Sequence, residues 1–269
     1  MIKSINNVDG VPNSMQNGHT QNINHFNKVP EITLIFWLIK MMSTTVGETA
    51  ADFMIFNYRL GLPVTLLIMT VLFFIVLAIQ LKSKQYYSWK YWLTVVFVSI
   101  LGTLITDNMT DNLGIPLIYP TIGFSLLLIV VFALWYRREK TLSIHHIDTF
   151  PREVFYWTAI LATFALGTAA GDWFAEGLNL GYLTSTLIFA STIALIAAGY
   201  YGLKLNSVLC FWLAYILTRP LGAALGDWLS QPLKNGGLGF GVTSISVVFL
   251  ILIVGFVVYE TYQKNKYSA

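Results

Sequence analysis

The sequence predicts an all-α membrane protein: eight transmembrane helices form four parallel two-helix repeats, with pseudo-fourfold symmetry and both termini in the cytoplasm. Three observations support this fold class: the composition, the spacing of the apolar segments and a motif that occurs four times. Hydrophobic residues make up 56% of the 269 positions and charged residues 11%, whereas a soluble domain carries about 25% charged residues. The single cysteine, Cys210, excludes an intramolecular disulfide and a cysteine-based metal cluster.

Eight apolar segments follow one another along the chain, each close to the length of about 20 residues that crosses a bilayer core. They span residues 31–56, 63–81, 90–112, 116–136, 152–177, 182–203, 207–231 and 240–260. Paired in order, they define repeats at residues 31–84, 85–140, 150–204 and 205–263. The preceding residues, 1–30, are rich in Asn and poor in apolar residues, so we expect a disordered cytoplasmic tail.

One motif marks the first helix of every repeat. An aromatic residue and a Trp are followed by a Gly ten residues after the Trp, and by an Asp five residues after the Gly. The copies are Trp37–Gly47–Asp52, Trp92–Gly102–Asp107, Trp157–Gly167–Asp172 and Trp212–Gly222–Asp227. Fixed internal spacing is typical of tandem repeats. Two helices return the chain to the same side, so the repeats are parallel, and we expect these odd-numbered helices to form an inner ring.

Basic residues predict the orientation. They are concentrated in the loops between repeats and in the two tails, and only Arg59 and Lys234 lie in the turns within repeats. The positive-inside rule then places both termini in the cytoplasm and the turns within repeats on the outer side. The four motif Trp residues lie near the cytoplasmic start of their helices, where we expect them to act as interfacial anchors.

A polar stripe follows each odd helix, because residues four apart share one helix face. The acids on these stripes are candidate ion-binding or proton-relay residues: Glu48, Asp52, Asp107, Asp111, Asp172, Glu176 and Asp227. Supporting polar positions are Lys40, Thr44, Ser99, Thr103, Thr168 and Arg219. A polar stripe in hydrocarbon must face protein or a water-filled cavity. Beside it runs a small-residue pair in each repeat, such as Gly167 and Gly171, which predicts close helix packing.

So many acids in one layer need protons, basic partners or a bound cation, and only Lys40 and Arg219 are basic within the spans. Carboxylate and hydroxyl oxygens favour Mg²⁺, Ca²⁺ or Mn²⁺ over soft metals. The motif residues Asp52, Asp107, Asp172 and Asp227 are the candidate metal ligands, with the ion as substrate; no resident cofactor is indicated. Alternatively, these acids reach water near the outer interface and cap or bridge helices.

Other chemistry is sparse. The pair His145–His146 lies in a charged loop, where a solvated segment is favoured over a metal site. The sequence has no phosphate loop, nucleophile elbow, zinc-protease motif or basic nucleic-acid stripe. We therefore name no catalytic residue and expect neither an enzyme nor a nucleic-acid partner.

The four aromatic–Trp–Gly–Asp units resemble a family of bacterial polytopic membrane proteins, described as uncharacterised membrane-anchored proteins, with four tandem two-helix repeats of unknown function. The resemblance covers about residues 31–262 and includes all four Trp residues. It implies a multi-pass protein of the bacterial inner membrane and supplies no activity. The fourth repeat departs from the others, with Ala223 and Gln231 at two stripe positions, so we expect an asymmetric site.

Three functions are consistent with these patterns. The leading hypothesis is a transporter or channel for a small cation, with a divalent ion such as Mn²⁺ or Mg²⁺ and coupling to protons as candidate features. The alternative is a non-transporting sensor or assembly partner whose intramembrane acids form structural ion pairs. An intramembrane enzyme is least favoured, because the sequence offers only carboxylates for it. The lipid bilayer and the cation are the expected partners, and the sequence does not define an oligomeric state.

Overall fold

The computed structural model describes residues 27–58 and 61–268, and within them the fold is all-α. The eight long helices are α1 (Leu34–Tyr58), α2 (Leu62–Leu81), α3 (Ser88–Asp107), α4 (Ile118–Glu139), α5 (Phe150–Asp172), α6 (Tyr182–Leu203), α7 (Ser207–Ser230) and α8 (Val242–Ser268). Two π-helical turns, Asn108–Asn112 and Trp173–Gly177, extend α3 and α5. Short 3₁₀ turns lie at Ile144–His146 and Leu233–Asn235.

Seven of these helices, α2 to α8, are long and apolar enough to cross a membrane. Helix α1, which carries Lys40, Glu48 and Asp52, is not among them. The described residues thus confirm an all-α fold of eight helices. Each helix lies within a few residues of a predicted segment, apart from the C-terminal extension of α8.

The four odd-numbered helices form the predicted inner ring. Helix α1 packs on α3, α3 on α5, α5 on α7, and α7 packs back on α1. The even-numbered helices lie outside, and each packs on the inner helix of the following repeat: α2 on α3, α4 on α5, α6 on α7 and α8 on α1. The outer helix of each repeat therefore packs on the inner helix of the following repeat. It makes few contacts with the inner helix of its own repeat, to which it is connected in the chain.

Glycine determines how closely the inner helices approach. In all four interfaces the motif Gly faces the residue seven positions after the Trp of the next inner helix. The pairs are Gly47 with Ser99, Gly102 with Phe164, Gly167 with Arg219 and Gly222 with Thr44. A Cβ atom on Gly222 would lie 1.7 Å from Thr44 Oγ1, and one on Gly47 would lie 1.8 Å from Ser99 Oγ. The small-residue pattern therefore acts in packing, as predicted, and it closes the ring in a fourfold manner.

Glycine has a second role where the chain enters three outer helices. Gly61, Gly181 and Gly241 precede α2, α6 and α8 with φ angles of 75°, 78° and 78°. Side chains with a Cβ rarely adopt this left-handed conformation. These positions turn the chain sharply from the inner ring to the outer layer.

The N-terminal segment is tied to the loop between the second and third repeats. The Asn27 side chain donates to Ile144 O at 3.0 Å and accepts from Ile147 N at 3.1 Å. Lys28 Nζ lies 2.6 Å from Glu153 Oε2, a carboxylate that is 1% exposed. The predicted disordered tail falls mostly on residues 1–26, outside the described residues. Its last four residues differ from the prediction, because these bonds hold residues 27–30 against the helices.

The motif Trp residues are not exposed anchors. Trp92, Trp157 and Trp212 are 2%, 3% and 4% exposed, and they pack among aromatic rings of neighbouring helices. Trp92 Nε1 donates to Glu260 Oε2 at 3.0 Å, and Trp212 Nε1 donates to Leu142 O at 2.9 Å. The expectation of interfacial anchoring is wrong for these three residues, because they are buried: α8 covers Trp92, and Phe132 and Trp135 of α4 pack on Trp212.

Candidate functional site

Arg219 lies on the axis of the inner ring, where side chains from all four inner helices meet. Its guanidinium is fully buried, and its Nη2 donates to Glu48 Oε2 at 3.1 Å and to Thr168 Oγ1 at 2.7 Å. Nη2 also donates to Thr103 Oγ1, and Nη1 lies 3.5 Å from Thr44 O. A buried ion pair needs such additional hydrogen bonds to offset its desolvation. Arg219 is therefore the central cation of the site.

Three carboxylates meet next to this guanidinium. One oxygen atom each of Glu48, Asp172 and Asp227 lies within 4.8 Å of those of the other two. Glu48 and Asp227 are 6% and 7% exposed, and Asp172 is half-buried. Each residue comes from a different inner helix, so the closed ring creates the group. We call Glu48, Asp172 and Asp227 the acid triad.

Glu48 is the electrostatic centre of a wider acid layer. Its carboxylate lies close enough to interact electrostatically with all four motif Asp residues: Asp52, Asp107, Asp172 and Asp227. Within the described part of the chain, no Lys or Arg forms an ion pair with any of these four residues. Arg219 forms its ion pair with Glu48. Like charges in a poorly solvated layer repel one another strongly. The layer thus holds more carboxyl groups than the described basic residues pair with.

The structure groups the candidate ligands differently from the sequence prediction. Asp172 and Asp227 are together as predicted, but the third member of the triad is Glu48 and not Asp52 or Asp107. Glu48 lies one helical turn before Asp52, and its longer side chain is held towards the axis by Arg219. The sequence lists Glu48 among the candidate ion-binding or proton-relay residues, but not among the four candidate metal ligands.

Two further predicted acids lie at the rim. Asp111 and Glu176 are exposed, and both occupy the π-helical turns that follow the motif Asp residues. Asp111 Oδ1 accepts from Thr110 Oγ1 at 3.0 Å, and Glu176 Oε1 accepts from Tyr182 Oη at 2.8 Å. A π turn is wider than an α turn, so it moves these acids off the polar stripe. π turns occur frequently at functional sites.

Lys40 lies one level further from the acids and has no carboxylate partner among the described residues. It is 1% exposed, and its Nζ donates to Thr218 Oγ1 at 2.6 Å and to Tyr215 O at 3.1 Å. Nζ also lies 3.8 Å from the ring centroid of Tyr215 and 5.2 Å from that of Phe164. The second predicted base therefore does not neutralise the acid layer.

An aromatic layer closes the opposite end of the ring. The residues before the motif Trp residues form it: Phe36, Tyr91, Tyr156 and Phe211. The hydroxyls of Tyr91 and Tyr156 lie 2.6 Å apart, and the ring centroids of Phe36 and Phe211 lie 6.2 Å apart. We call this the Trp end of the ring and the opposite one the acid end.

The connection between α2 and α3 borders the Trp end. Here Tyr86 donates to Glu260 Oε1 at 2.7 Å, and burial together with the Glu260 carboxylate raises the pKa of Tyr86. This contact, like the Lys28–Glu153 pair, was not predicted. In each case the partners are more than a hundred residues apart in the sequence, and neither belongs to a polar stripe.

The arrangement can bind a small cation through oxygen atoms. The triad supplies three carboxylates, and the hydroxyls of Thr103 and Thr168 lie beside Glu48 around Arg219. Ca²⁺, Mg²⁺ and Mn²⁺ favour such ligands. The remaining predicted positions pack the ring: Thr44 Oγ1 donates to Met41 O at 2.6 Å, and Ser99 Oγ is fully buried with no partner in the described structure.

Comparison with protein families finds the same fourfold repetition. A model described as "Repeat of Unknown Function (DUF347)" matches residues 35–86, 90–141, 155–205 and 210–266. Comparisons with curated proteins and with solved structures give no match. Because the four matches together cover most of the chain and follow the repeats of the ring, the chain belongs to the family of four tandem DUF347 repeats of unknown function.

Proposed function

We propose that the protein moves a small cation across a membrane, as a transporter or channel, and binds it at the acid triad. The observation that carries the proposal is the approach of Glu48, Asp172 and Asp227 to within 4.8 Å of one another. Asp172 and Asp227 lie on helices that are long and apolar enough to cross a membrane, and Glu48 lies on α1 beside them. Acids in such positions commonly mark ion or proton pathways in membrane proteins.

The charge balance supports a cation as the ligand. The triad alone carries three carboxylates, and Arg219 pairs with only one of them. Asp52 and Asp107 add two further carboxyl groups near Glu48. A bound cation or protons would relieve this repulsion. We propose a divalent ion of the Mn²⁺ or Mg²⁺ type, with proton exchange on the carboxylates as the coupling reaction.

The orientation is part of the proposal. Basic residues cluster at the loops that border the Trp end, including Lys82, Lys84, Arg137 and Arg138. The positive-inside rule then places the Trp end and both termini in the cytoplasm of a bacterial cell, with the acid end facing outward across the inner membrane.

A second candidate function rests on a separate observation. Arg219 pairs with Glu48 and also bonds two threonines, an arrangement that would fit a purely structural ion pair. In that case the protein is a sensor or assembly partner that transports nothing, and its acids hold helices or subunits together.

Ion flux into proteoliposomes distinguishes these functions. The purified protein is reconstituted with a Mn²⁺-quenched dye inside the vesicles, and Mn²⁺ entry is followed by fluorescence. We expect entry with the wild-type protein and at least a tenfold slower rate with Asp172→Asn or Asp227→Asn. The matched control is Asp111→Asn, which removes an exposed acid at the same end and should leave the rate near that of wild type.

Unchanged flux in both triad variants would remove the triad from the pathway. If the wild-type protein moves no ion above empty vesicles, and the variants instead change the oligomer observed by size-exclusion chromatography, the structural candidate is correct.

A further inference from the structure

We infer that Lys40, Phe164 and Arg219 form a plug that seals the ring between the acid triad and the aromatic layer, so that the protein is a carrier with one-sided access. This inference rests on the proposed function, and it resolves the choice between carrier and channel that the proposal leaves open.

Contacts across the ring place all three side chains on its axis. Arg219 of α7 bonds residues of α1, α3 and α5. Phe164 of α5 lies against Gly102 of α3, and its ring centroid lies 5.2 Å from Lys40 Nζ and 5.5 Å from Arg219 Cζ. One aromatic ring thus lies near both basic groups, and each inner helix contributes to or touches the plug.

The plug is dense and carries the charge that repels a cation. Lys40, Phe164 and Arg219 are 1%, 0% and 0% exposed. An ion that leaves the triad towards the Trp end would have to pass the guanidinium, the Phe164 ring and the buried amino group of Lys40. The aromatic layer lies beyond that. Passage therefore requires these side chains to move, which is the behaviour of a carrier.

The repeats show that the plug is a departure from symmetry. Seven residues after the motif Trp, the four inner helices carry Thr44, Ser99, Phe164 and Arg219. The two small hydroxyl residues would leave space on the axis if all four repeats used them. Phe164 and Arg219 fill that space from two adjacent helices.

Helix α7 offers a place for movement beside the plug. It continues through Pro220, which cannot donate a backbone hydrogen bond and so weakens the helix at that point. A bend at Pro220 would carry Arg219 away from Glu48 and open the axis on the Trp side.

Cysteine accessibility tests the plug without relying on transport. In a Cys210→Ser background, Asp107→Cys reports on the acid end and Val95→Cys reports on the level of Lys40. Both lie on α3, twelve residues or about 18 Å apart, and Val95 is fully buried. A charged, membrane-impermeant thiol reagent is added on the acid-end side of oriented vesicles. We expect Asp107→Cys to react and Val95→Cys to remain protected.

Removal of the plug should open the path. Phe164→Ala combined with Arg219→Ala should raise the reaction rate of Val95→Cys at least tenfold. Phe189→Ala, a buried Phe on the outer helix α6, is the matched control and should leave Val95→Cys protected. Size-exclusion profiles of all variants confirm that the ring is intact.

Two results would overturn the plug: reaction of Val95→Cys from the acid end with Phe164 and Arg219 in place, or continued protection in a folded double variant. Absence of Mn²⁺ flux in the wild-type protein together with the expected labelling pattern would refute the proposed function and leave the plug standing. The two claims can therefore fail separately.

Discussion

The two ends of the inner ring are each built from a position that recurs in all four repeats, but one position is aromatic and the other is acidic. At the Trp end, four aromatic residues and three buried Trp residues pack against one another, and the buried carboxylate of Glu153 has a lysine 2.6 Å away. At the acid end, Asp172 and Asp227 meet Glu48, and no motif Asp has a basic partner among the described residues. A repeated apolar group stabilises a ring, because its copies pack against one another. A repeated acidic group destabilises it, because its copies are crowded together without basic partners. The acid end is therefore the part that stability alone does not explain.

The largest change in stability is expected at Arg219, which lies between the two ends of the ring. Arg219→Met should destabilise the protein by about 3–5 kcal/mol, because it leaves Glu48 buried without its counter-charge. A thermal melt in detergent would show a large fall in Tm.

The double variant Arg219→Met/Glu48→Gln is the matched control, because it removes both charges. Its Tm should lie well above that of Arg219→Met alone. Equal Tm values for the two variants would mean that the ion pair does not hold the axis.

The next largest change in stability is expected where α7 and α1 pack closely, between the two ends of the ring. Gly222→Ala places a methyl group 1.7 Å from Thr44 Oγ1, and overpacking of this kind costs about 1–3 kcal/mol. Gly123→Ala on the outer helix α4 meets no atom within 4 Å and should leave the Tm unchanged or slightly higher. A Gly222→Ala variant as stable as Gly123→Ala would contradict the closed ring.

Three isosteric substitutions compare the two ends of the ring directly. Without added metal, Asp172→Asn and Asp227→Asn should raise the Tm by a few degrees, because each replaces a crowded carboxyl group that has no basic partner among the described residues. Glu153→Gln should lower the Tm, because it breaks the pair with Lys28. Differential scanning fluorimetry in chelator-treated buffer measures the sign of each change, and a common sign would refute the contrast between the ends.

The smallest effect is expected in the aromatic layer. Tyr91→Phe removes one partner of the 2.6 Å hydroxyl contact with Tyr156, which contributes about 0.5–1.5 kcal/mol. The Tm should fall slightly, and Tyr91→Phe combined with Tyr156→Phe should cost less than the sum of the single changes. Additive losses would show that the two hydroxyls do not interact.

Much of the fold could be predicted from the sequence, because the same motif and the same pair of apolar segments occur four times. The spacing from Trp92 to Gly102 and Asp107 identifies an inner helix and the face that packs. Hydropathy fixed the spans to within a few residues. Neither pattern tells which inner helix an outer helix covers, so the packing of each outer helix on the following repeat was not predicted.

The candidate site was predicted only in outline. The i, i+4 spacing places Asp107 and Asp111 on one stripe, but the π turn after Asp107 displaces Asp111 to the surface. The π turn depends on the hydrogen bonding at the end of α3, and the four-residue spacing of polar residues gives no information about it. Phe164 was overlooked because an apolar residue in an apolar helix carries no signal, and its position between Lys40 and Arg219 appears only when the ring closes.

The central claim is that the acid triad binds one cation in a shared site. Mn²⁺ binding to the chelator-treated, detergent-purified protein tests it most directly, with loss of the electron paramagnetic resonance signal of free Mn²⁺ as the readout. We predict a single saturable site in the wild-type protein and in Asp111→Asn, and its loss in Asp172→Asn/Asp227→Asn. Equal binding by the wild-type protein and the double variant, or no binding by either, would contradict the account.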